Sequence, residues 1–192
     1  MTSLRTQSHK AVASLYTDWL STARPTQLTP VGDWNIWLIL AGRGWGKTRT
    51  GASDALLYAL RNPNVQVAVL APTFGDIRRV AFGGVSGILK TCPEECMLKG
   101  RGQGYNSSAS EIRLFNGSII YGFSATEPER LRGPQFHRAW CDELAAWRYP
   151  EAFDQLMFGL RLGENPKCII TTTPKPTPLI RKLLDRKDVV VT

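Results

Sequence analysis

One short run of residues limits what this chain can fold into more than any other feature. The mostly apolar segment Trp34 to Leu40 is followed by three glycines and a Lys-Thr pair, and then by the helix-compatible segment Thr48 to Leu60. A strand, a glycine-rich turn and a helix in this order are typical of a P-loop, in which backbone N–H groups face a phosphate. Lys47 would contact the β- and γ-phosphates of a nucleotide, and the Thr48 hydroxyl would bind Mg²⁺. The predicted loop consists of Gly42, Arg43, Gly44, Trp45, Gly46, Lys47 and Thr48.

The loop departs from the pattern G-x-x-x-x-G-K-[ST] at its first position, where Ala41 stands in place of glycine. A Gly-Lys-Thr tripeptide alone is weak evidence, because glycine and lysine are common residues. The interpretation therefore depends on the flanking strand and helix. A glycine-rich surface turn before a helix is the alternative.

Apolar runs and helical segments alternate along the rest of the chain. This alternation predicts one α/β domain over residues 1–192, a P-loop NTPase sandwich of three layers with a mainly parallel central sheet. Asn116-Gly117 separates two runs of alternating polarity and predicts an added β-hairpin with a type I′ turn. A helix is also expected from Thr73 to Lys90, although Gly83, Gly84 and Gly87 weaken that prediction. Further strands are predicted at Val65 to Ala71, His137 to Cys141, Lys167 to Thr173 and Val189 to Val191.

The N-terminal 30 residues are expected to form a helix and a loop packed on this domain. Apolar residues between 4 and 20 recur near helical spacing, and the prolines that follow predict a loop. Gln27 lies in that loop ahead of the P-loop and is a tentative candidate for hydrogen bonding to an adenine edge. A solvated loop residue is the alternative.

The net charge of +8 and the pI of about 9.6 favour contact with nucleic acid, although a solvated basic surface is a common alternative. Candidate contacts to DNA phosphates are Arg78, Arg79, Lys99 and Arg101. The four cysteines form no C-x-x-C pair, so reduced thiols are expected rather than a zinc site. No apolar run approaches the length needed to cross a bilayer, and we expect a soluble, intracellular protein without membrane contact.

Asp142-Glu143 directly follows a predicted strand, downstream of the P-loop. In P-loop hydrolases a strand-end aspartate supports Mg²⁺, and an adjacent glutamate polarises the attacking water. A pair of helix-capping acids is the alternative. The tract Thr171, Thr172, Thr173 ends the next strand, and ligands of open parallel sheets gather at such ends.

Taken together, the chain resembles the ATPase domain of the large terminase subunit, the DNA-packaging motor of tailed bacteriophages and prophages. The resemblance is carried, in the family's order, by the loop with its internal basic residue Arg43, by Glu129 to Gly133, by Trp140 to Trp147 and by Thr171 to Pro174. It implies a RecA-like fold of the ASCE type, with ATP and Mg²⁺ as ligands.

The resemblance also implies roles for single residues. Lys47 and Thr48 would bind phosphate and Mg²⁺, Asp142 would support the metal, partly through water, and Glu143 would be the catalytic carboxylate. Arg43 would sense or contact the γ-phosphate, and the threonine tract would couple nucleotide state to motion. Arg132, or less well Arg130, would act as an arginine finger in a neighbouring subunit.

At the level of the whole protein, the resemblance implies ATP hydrolysis that drives double-stranded DNA into a procapsid. The expected partners are the DNA, a homo-oligomeric ring on the portal protein, and the small terminase subunit, all in the host cytoplasm. The family's C-terminal nuclease domain is absent from the 192 residues, so no DNA cleavage is expected of this chain. The alternatives are a helicase-like or DNA-repair ATPase and a nucleotide-binding DNA-contact module without motor activity.

Overall fold

An eight-stranded sheet forms the centre of the computed structural model, which describes residues 2–100 and 103–192 and the side chains from residue 6 onward. Arg101 lies outside the described residues. The strand order is β3-β4-β5-β2-β6-β7-β1-β8, and all neighbours from β5 to β8 are parallel. The strands are β1 (Ile36–Leu40), β2 (Gln66–Ala71), β3 (Tyr105–Asn106), β4 (Glu111–Arg113), β5 (Ile119–Ser124), β6 (Arg138–Asp142), β7 (Lys167–Thr172) and β8 (Val189–Val191).

Both faces of the sheet are covered, because successive residues of each central strand point into opposite cores. Trp37 and Ile39 pack with the helices of one face, and Ile36 and Leu38 pack with those of the other. The first face carries α1 (Thr2–Thr22), α2 (Lys47–Arg61), α3 (Phe74–Asp76) and α4 (Ile88–Thr91), and the second carries α5 (Glu151–Gly159) and α6 (Pro178–Leu184). The predicted α/β sandwich with a mainly parallel sheet is therefore confirmed.

The hairpin is also present and extends the sheet at one edge. β4 and β5 pair antiparallel, with Glu111 opposite Tyr121, and β3 adds a further short strand. The predicted type I′ turn is wrong, because φ is positive at Gly117 (84°) but not at Asn116. The Asn116 side chain instead donates to the carbonyl oxygens of Ala59 and Leu60, which ties the turn to the end of α2.

The single helix predicted from Thr73 to Lys90 is wrong. The segment forms α3, then a π-helix over Ile77–Phe82, and, after a glycine-rich break, α4. The N–H of Gly83 donates to the carbonyl of Arg78 at 2.9 Å, which closes the wide turn. Glycines favour this break because they lose more backbone freedom in a helix than any other residue.

The four cysteines are buried free thiols. Within the described ranges, no group of three or more His, Cys, Asp or Glu side chains is arranged to hold a metal ion. None of the described helices combines the length and the hydrophobicity needed to cross a bilayer.

Candidate nucleotide site

The predicted phosphate loop connects the end of β1 to the start of α2, at the edge where the parallel strands end. Gly44 and Gly46 have φ values of 79° and 95°, in the left-handed region that favours glycine. Gly46 also precedes the first turn of α2, and Gly51 one turn later lets the helix lie directly against the Trp140 indole of β6. The glycines thus place the loop and α2 close to β6.

Lys47 is buried, with 8% of its surface exposed, and its ammonium group lies within the loop. Nζ donates to the carbonyl oxygens of Ala41 at 2.8 Å and Gly42 at 3.0 Å. It also lies 3.3 Å from Thr173 Oγ1 and 3.4 Å from Glu143 Oε1. The lysine therefore joins the loop after β1 to the residues that follow β6 and β7.

Gln27 supports this loop from behind. Its side-chain amide donates to the Trp45 carbonyl at 3.3 Å and to Thr50 Oγ1 at 3.2 Å, and its oxygen accepts from the backbone N–H of Arg24. The Arg24 guanidinium also donates to the Trp45 carbonyl and lies 5.3 Å from the centroid of the indole ring. These contacts fix the backbone of the loop at Trp45, whereas an adenine contact by Gln27 stays a prediction.

Asp142 ends β6 and is only 3% exposed. The Thr171 hydroxyl donates to Asp142 Oδ1 at 2.8 Å and accepts from Trp140 Nε1 at 2.8 Å, so a buried hydrogen-bonded chain holds the carboxylate in place. Burial raises the pKa of Asp142 to about 6; the Thr171 hydrogen bond opposes that shift, and the neighbouring Glu143 charge adds to it. A buried anion of this kind gains from a nearby cation.

Glu143 has a left-handed backbone with a φ of 48°, a conformation that costs about 1–3 kcal/mol and is frequent at functional sites. The Thr173 N–H donates to Glu143 Oε2 at 3.1 Å, and the Thr173 hydroxyl donates to Oε1 at 3.2 Å. Thr172 Oγ1 accepts from the N–H of Ala145 at 3.1 Å. Each threonine of the tract therefore contacts the segment that begins at Asp142.

The residues predicted to bind Mg²⁺ fit a cation that is bound mainly by water and phosphate. Asp142 Oδ1 accepts from Thr171, whereas no donor in the described part of the chain contacts Oδ2. The Thr48 hydroxyl likewise has no hydrogen-bond partner among the described residues. One carboxylate and one hydroxyl, together with substrate phosphates, form the donor set that Mg²⁺ commonly uses.

A buried ion pair that the sequence interpretation missed lies behind the site. Asp54 of α2 and Arg138 of β6 form two hydrogen bonds, Nε to Oδ2 at 2.9 Å and Nη2 to Oδ1 at 2.7 Å. The Arg138 guanidinium lies between the rings of Trp34 and Tyr58, at 5.3 and 5.2 Å. Burial alone would lower the pKa of Arg138, but the charge and hydrogen bonds of Asp54 outweigh it and raise this pKa. An arginine at the start of an apolar strand was the sequence signal for a buried partner.

The predicted arginines lie in different places. Arg43 is exposed within the loop. Arg130 and Arg132 are exposed beyond β5 and pair with Glu127 at 3.2 Å and Glu129 at 2.8 Å. In the sheet β2, β6 and β7 lie between β5 and β1, so roughly 19 Å separates these arginines from the loop of the same chain.

Known proteins share the sequence pattern of this site. No curated protein sequence matches the chain significantly. The family model described as "Terminase large subunit, T4likevirus-type, N-terminal" matches residues 38–186. The chain belongs to the terminase large subunit family. The match covers the phosphate loop, the acidic pair and the threonine tract, the three segments that meet in the structure.

Solved large terminases share the fold. The ATPase domain of the Thermus phage P74-26 large terminase aligns with a TM-score of 0.67 at 17% identity, covering 84% of this chain and 69% of that one. The large terminase of a second, thermophilic bacteriophage, in complex with ATP-γ-S, gives 0.60 at 17% identity, over 95% of this chain and 43% of that one. The Phi-28 gp11 DNA packaging motor gives 0.51 at 15% identity, over 84% and 56%. This chain thus spans less than half of the terminase solved with ATP-γ-S.

Proposed function

We propose that this terminase chain hydrolyses ATP to ADP and phosphate and that the reaction drives double-stranded DNA into a procapsid. The observation that carries the proposal is the meeting of Lys47, Glu143 and Thr173 within 3.4 Å at the carboxyl edge of the sheet. An ammonium group for phosphate and a carboxylate for water are the two groups that phosphoryl transfer to water needs. The relative from the thermophilic bacteriophage has been solved with both ATP-γ-S and ADP, which supports a nucleotide at this place.

In the proposed reaction, Lys47 exchanges Glu143 for the β- and γ-phosphates as its partner. The released Glu143 carboxylate orients a water molecule and accepts its proton as the oxygen attacks the γ-phosphorus, while the bond from phosphorus to the β-phosphate oxygen breaks. Thr173 keeps the carboxylate in position through its N–H and hydroxyl. Arg43, exposed in the loop, would contact the γ-phosphate.

Thr48 and Asp142 would hold Mg²⁺ in this site. When bound, the ion would neutralise charge on the β- and γ-phosphates. The role of the protein is to keep Asp142 ionised and oriented, and the hydrogen bond from Thr171 performs that task.

Replacing Glu143 by glutamine tests the assignment. Glu143→Gln keeps the size of the side chain but removes the proton acceptor, so we expect kcat to fall by about 10²–10⁴. ATP affinity should be retained, because Lys47 and the loop are unchanged. Phosphate release and binding of a fluorescent ATP analogue measure the two quantities.

A matched control is Glu164→Gln, which removes the same charge from an exposed position. It should leave both quantities unchanged. Phosphate release by Glu143→Gln at the rate of the original protein would refute the role of Glu143.

We further propose that Arg132 acts as a finger on the nucleotide of a neighbouring subunit in a ring, with Arg130 as second choice. Both arginines are exposed and too far from the loop of their own chain. Arg132→Ala should lower kcat by about 10³–10⁵. Mixing Arg132→Ala with Glu143→Gln should restore measurable turnover, because one subunit keeps its finger and the other its carboxylate.

The control is Arg113→Ala, which breaks a similarly exposed pair with Glu111 at 2.9 Å. It should remain as active as the original protein. An inactive mixture would contradict donation between subunits, and full activity of Arg132→Ala would move the assignment to Arg130.

The proposed partners and location follow from family membership. DNA, the portal protein and the small terminase subunit are the partners, and the ring would work on a procapsid in the host cytoplasm. The Phi-28 relative is described as a DNA packaging motor, which supports this assignment.

A further inference from the structure

A cleft of about 430 Å³ lies beside the nucleotide site at the carboxyl edge of the sheet. It is formed by α3 and the π-helix that follow β2, by residues before β4, and by residues after β5. Three arginines and two serines contribute to its lining, and the side chains that matter here are Phe74, Arg78, Arg79, Ser108, Ser110 and Arg130.

The charges of this cleft are not balanced. Arg130 pairs with Glu127 at 3.2 Å and lies 5.2 Å from the centroid of Phe74, so it forms a fixed wall. Arg78 and Arg79 are exposed and have no acidic partner in the described part of the chain. The Arg79 guanidinium lies over Gly75, within 3.0 Å of where an added Cβ would stand. Neighbouring guanidinium groups without a counter-charge repel one another, and an anion would relieve that repulsion.

The backbone that presents these arginines is unusual. They lie in the π-helix, and π-helical turns are rare and frequently found at functional sites. Ile77 and Phe82, at the two ends of the π-helix, are completely buried. The core therefore fixes the turn, while Arg78 and Arg79 stay on the surface.

We propose that this cleft contacts the phosphate backbone of double-stranded DNA, with Arg78 and Arg79 as the main contacts. Exposed arginines on a fixed surface suit contacts that position a duplex without reading its sequence. The segment begins three residues after β2, whose Leu70 lies opposite Cys141, the residue before Asp142. DNA on the cleft would therefore lie near the acidic end of β6. The proposal rests on the proposed function, since a translocase needs such contacts.

The structure also separates the basic residues that composition alone had grouped. Lys99 lies 3.7 Å from Glu94 and lines a different surface, with Gln7 and Phe115. The cleft thus selects Arg78 and Arg79 from the sequence candidates and adds Arg130 as a supporting residue.

The test compares the double variant Arg78→Gln/Arg79→Gln with the control Arg181→Gln/Lys182→Gln. Both remove two positive charges, and the control residues are exposed on α6 across the sheet. Binding to a short labelled duplex is followed by fluorescence anisotropy at about 50 to 200 mM salt. We expect the cleft variant to lose about tenfold or more in affinity and to reduce the salt slope by about 2, and the control to lose little.

Thermal unfolding shows whether each variant folds, and the charge-retaining variant Arg78→Lys/Arg79→Lys should recover most of the affinity. Equal losses in the cleft variant and the control would overturn the proposal, as would DNA affinity that stays unchanged while ATP hydrolysis is lost. An original protein that hydrolyses ATP but does not bind duplex would also overturn it. Failure of the proposed function is seen separately, as absence of ATP hydrolysis by the original protein.

Discussion

Two ion pairs join helix α2 to strand β6, and they differ in both geometry and burial. Asp54 and Arg138 meet at the start of β6 through two hydrogen bonds of 2.7 and 2.9 Å, with side chains only 6% and 8% exposed. Lys47 and Glu143 meet just beyond the end of β6 at 3.4 Å, and the Glu143 side chain is 35% exposed. The first pair is enclosed by aromatic rings, whereas the second lies at the phosphate loop.

The difference shows how one helix can be fixed at one end and reactive at the other. A buried, doubly hydrogen-bonded pair is costly to break, because it leaves a charge without water or partner. A longer, half-exposed contact is weak and can exchange partners. We infer that Asp54–Arg138 is a permanent clamp that keeps α2 in register with β6, and that Lys47–Glu143 is the contact that a nucleotide replaces.

The largest expected effect comes from breaking the clamp. Arg138→Leu leaves the Asp54 carboxylate buried and unpaired, so the free energy of unfolding should fall by about 3–5 kcal/mol. The double variant Asp54→Asn/Arg138→Leu should recover part of this loss, because it removes both charges. Urea unfolding without nucleotide measures the change.

The matched control for the clamp is Arg186→Leu, which breaks a pair with two hydrogen bonds to Asp188 on the more exposed side of the sheet edge. Because solvent screens that pair, its loss should cost about 1 kcal/mol or less. Equal destabilisation by Arg138→Leu and Arg186→Leu would contradict the clamp.

A smaller effect on stability is expected at the other end of α2. Lys47→Met keeps the length of the side chain and breaks only the 3.4 Å contact, while Thr173 still holds Glu143. The free energy of unfolding should change by about 1 kcal/mol or less. The stabilisation that ATP gives the original protein in a thermal shift assay should be lost, because stabilisation by a ligand depends on its affinity.

Destabilisation by Lys47→Met as large as that from Arg138→Leu would show that the two pairs are alike. Retained stabilisation by ATP would show that Lys47 is not a phosphate contact. Either result would remove the distinction between a fixed end and a reactive end of α2.

Much of the fold could be predicted because local patterns carry it. The apolar runs that became β1, β2 and β7 fit strands buried on both faces, and the Asn-Gly pair marked the hairpin. The segment after β2 could not be predicted, because its π-helix depends on how Ile77 and Phe82 pack in the core. The type I′ turn failed for a related reason: Asn116 binds the end of α2 instead of forming the tight local turn.

The sequence by itself determined the parts that local chemistry defines: a glycine loop before Lys47, a strand-end acid pair, and a family membership that these motifs carry. Only the tertiary structure decided which groups meet, because hydrogen bonds such as Thr171 to Asp142 join residues far apart in the chain. It also decided that Asp54 and Arg138, which no motif marked, are buried together. A buried charge is tolerated only beside its partner, and that partner is fixed by the packing of α2 against β6.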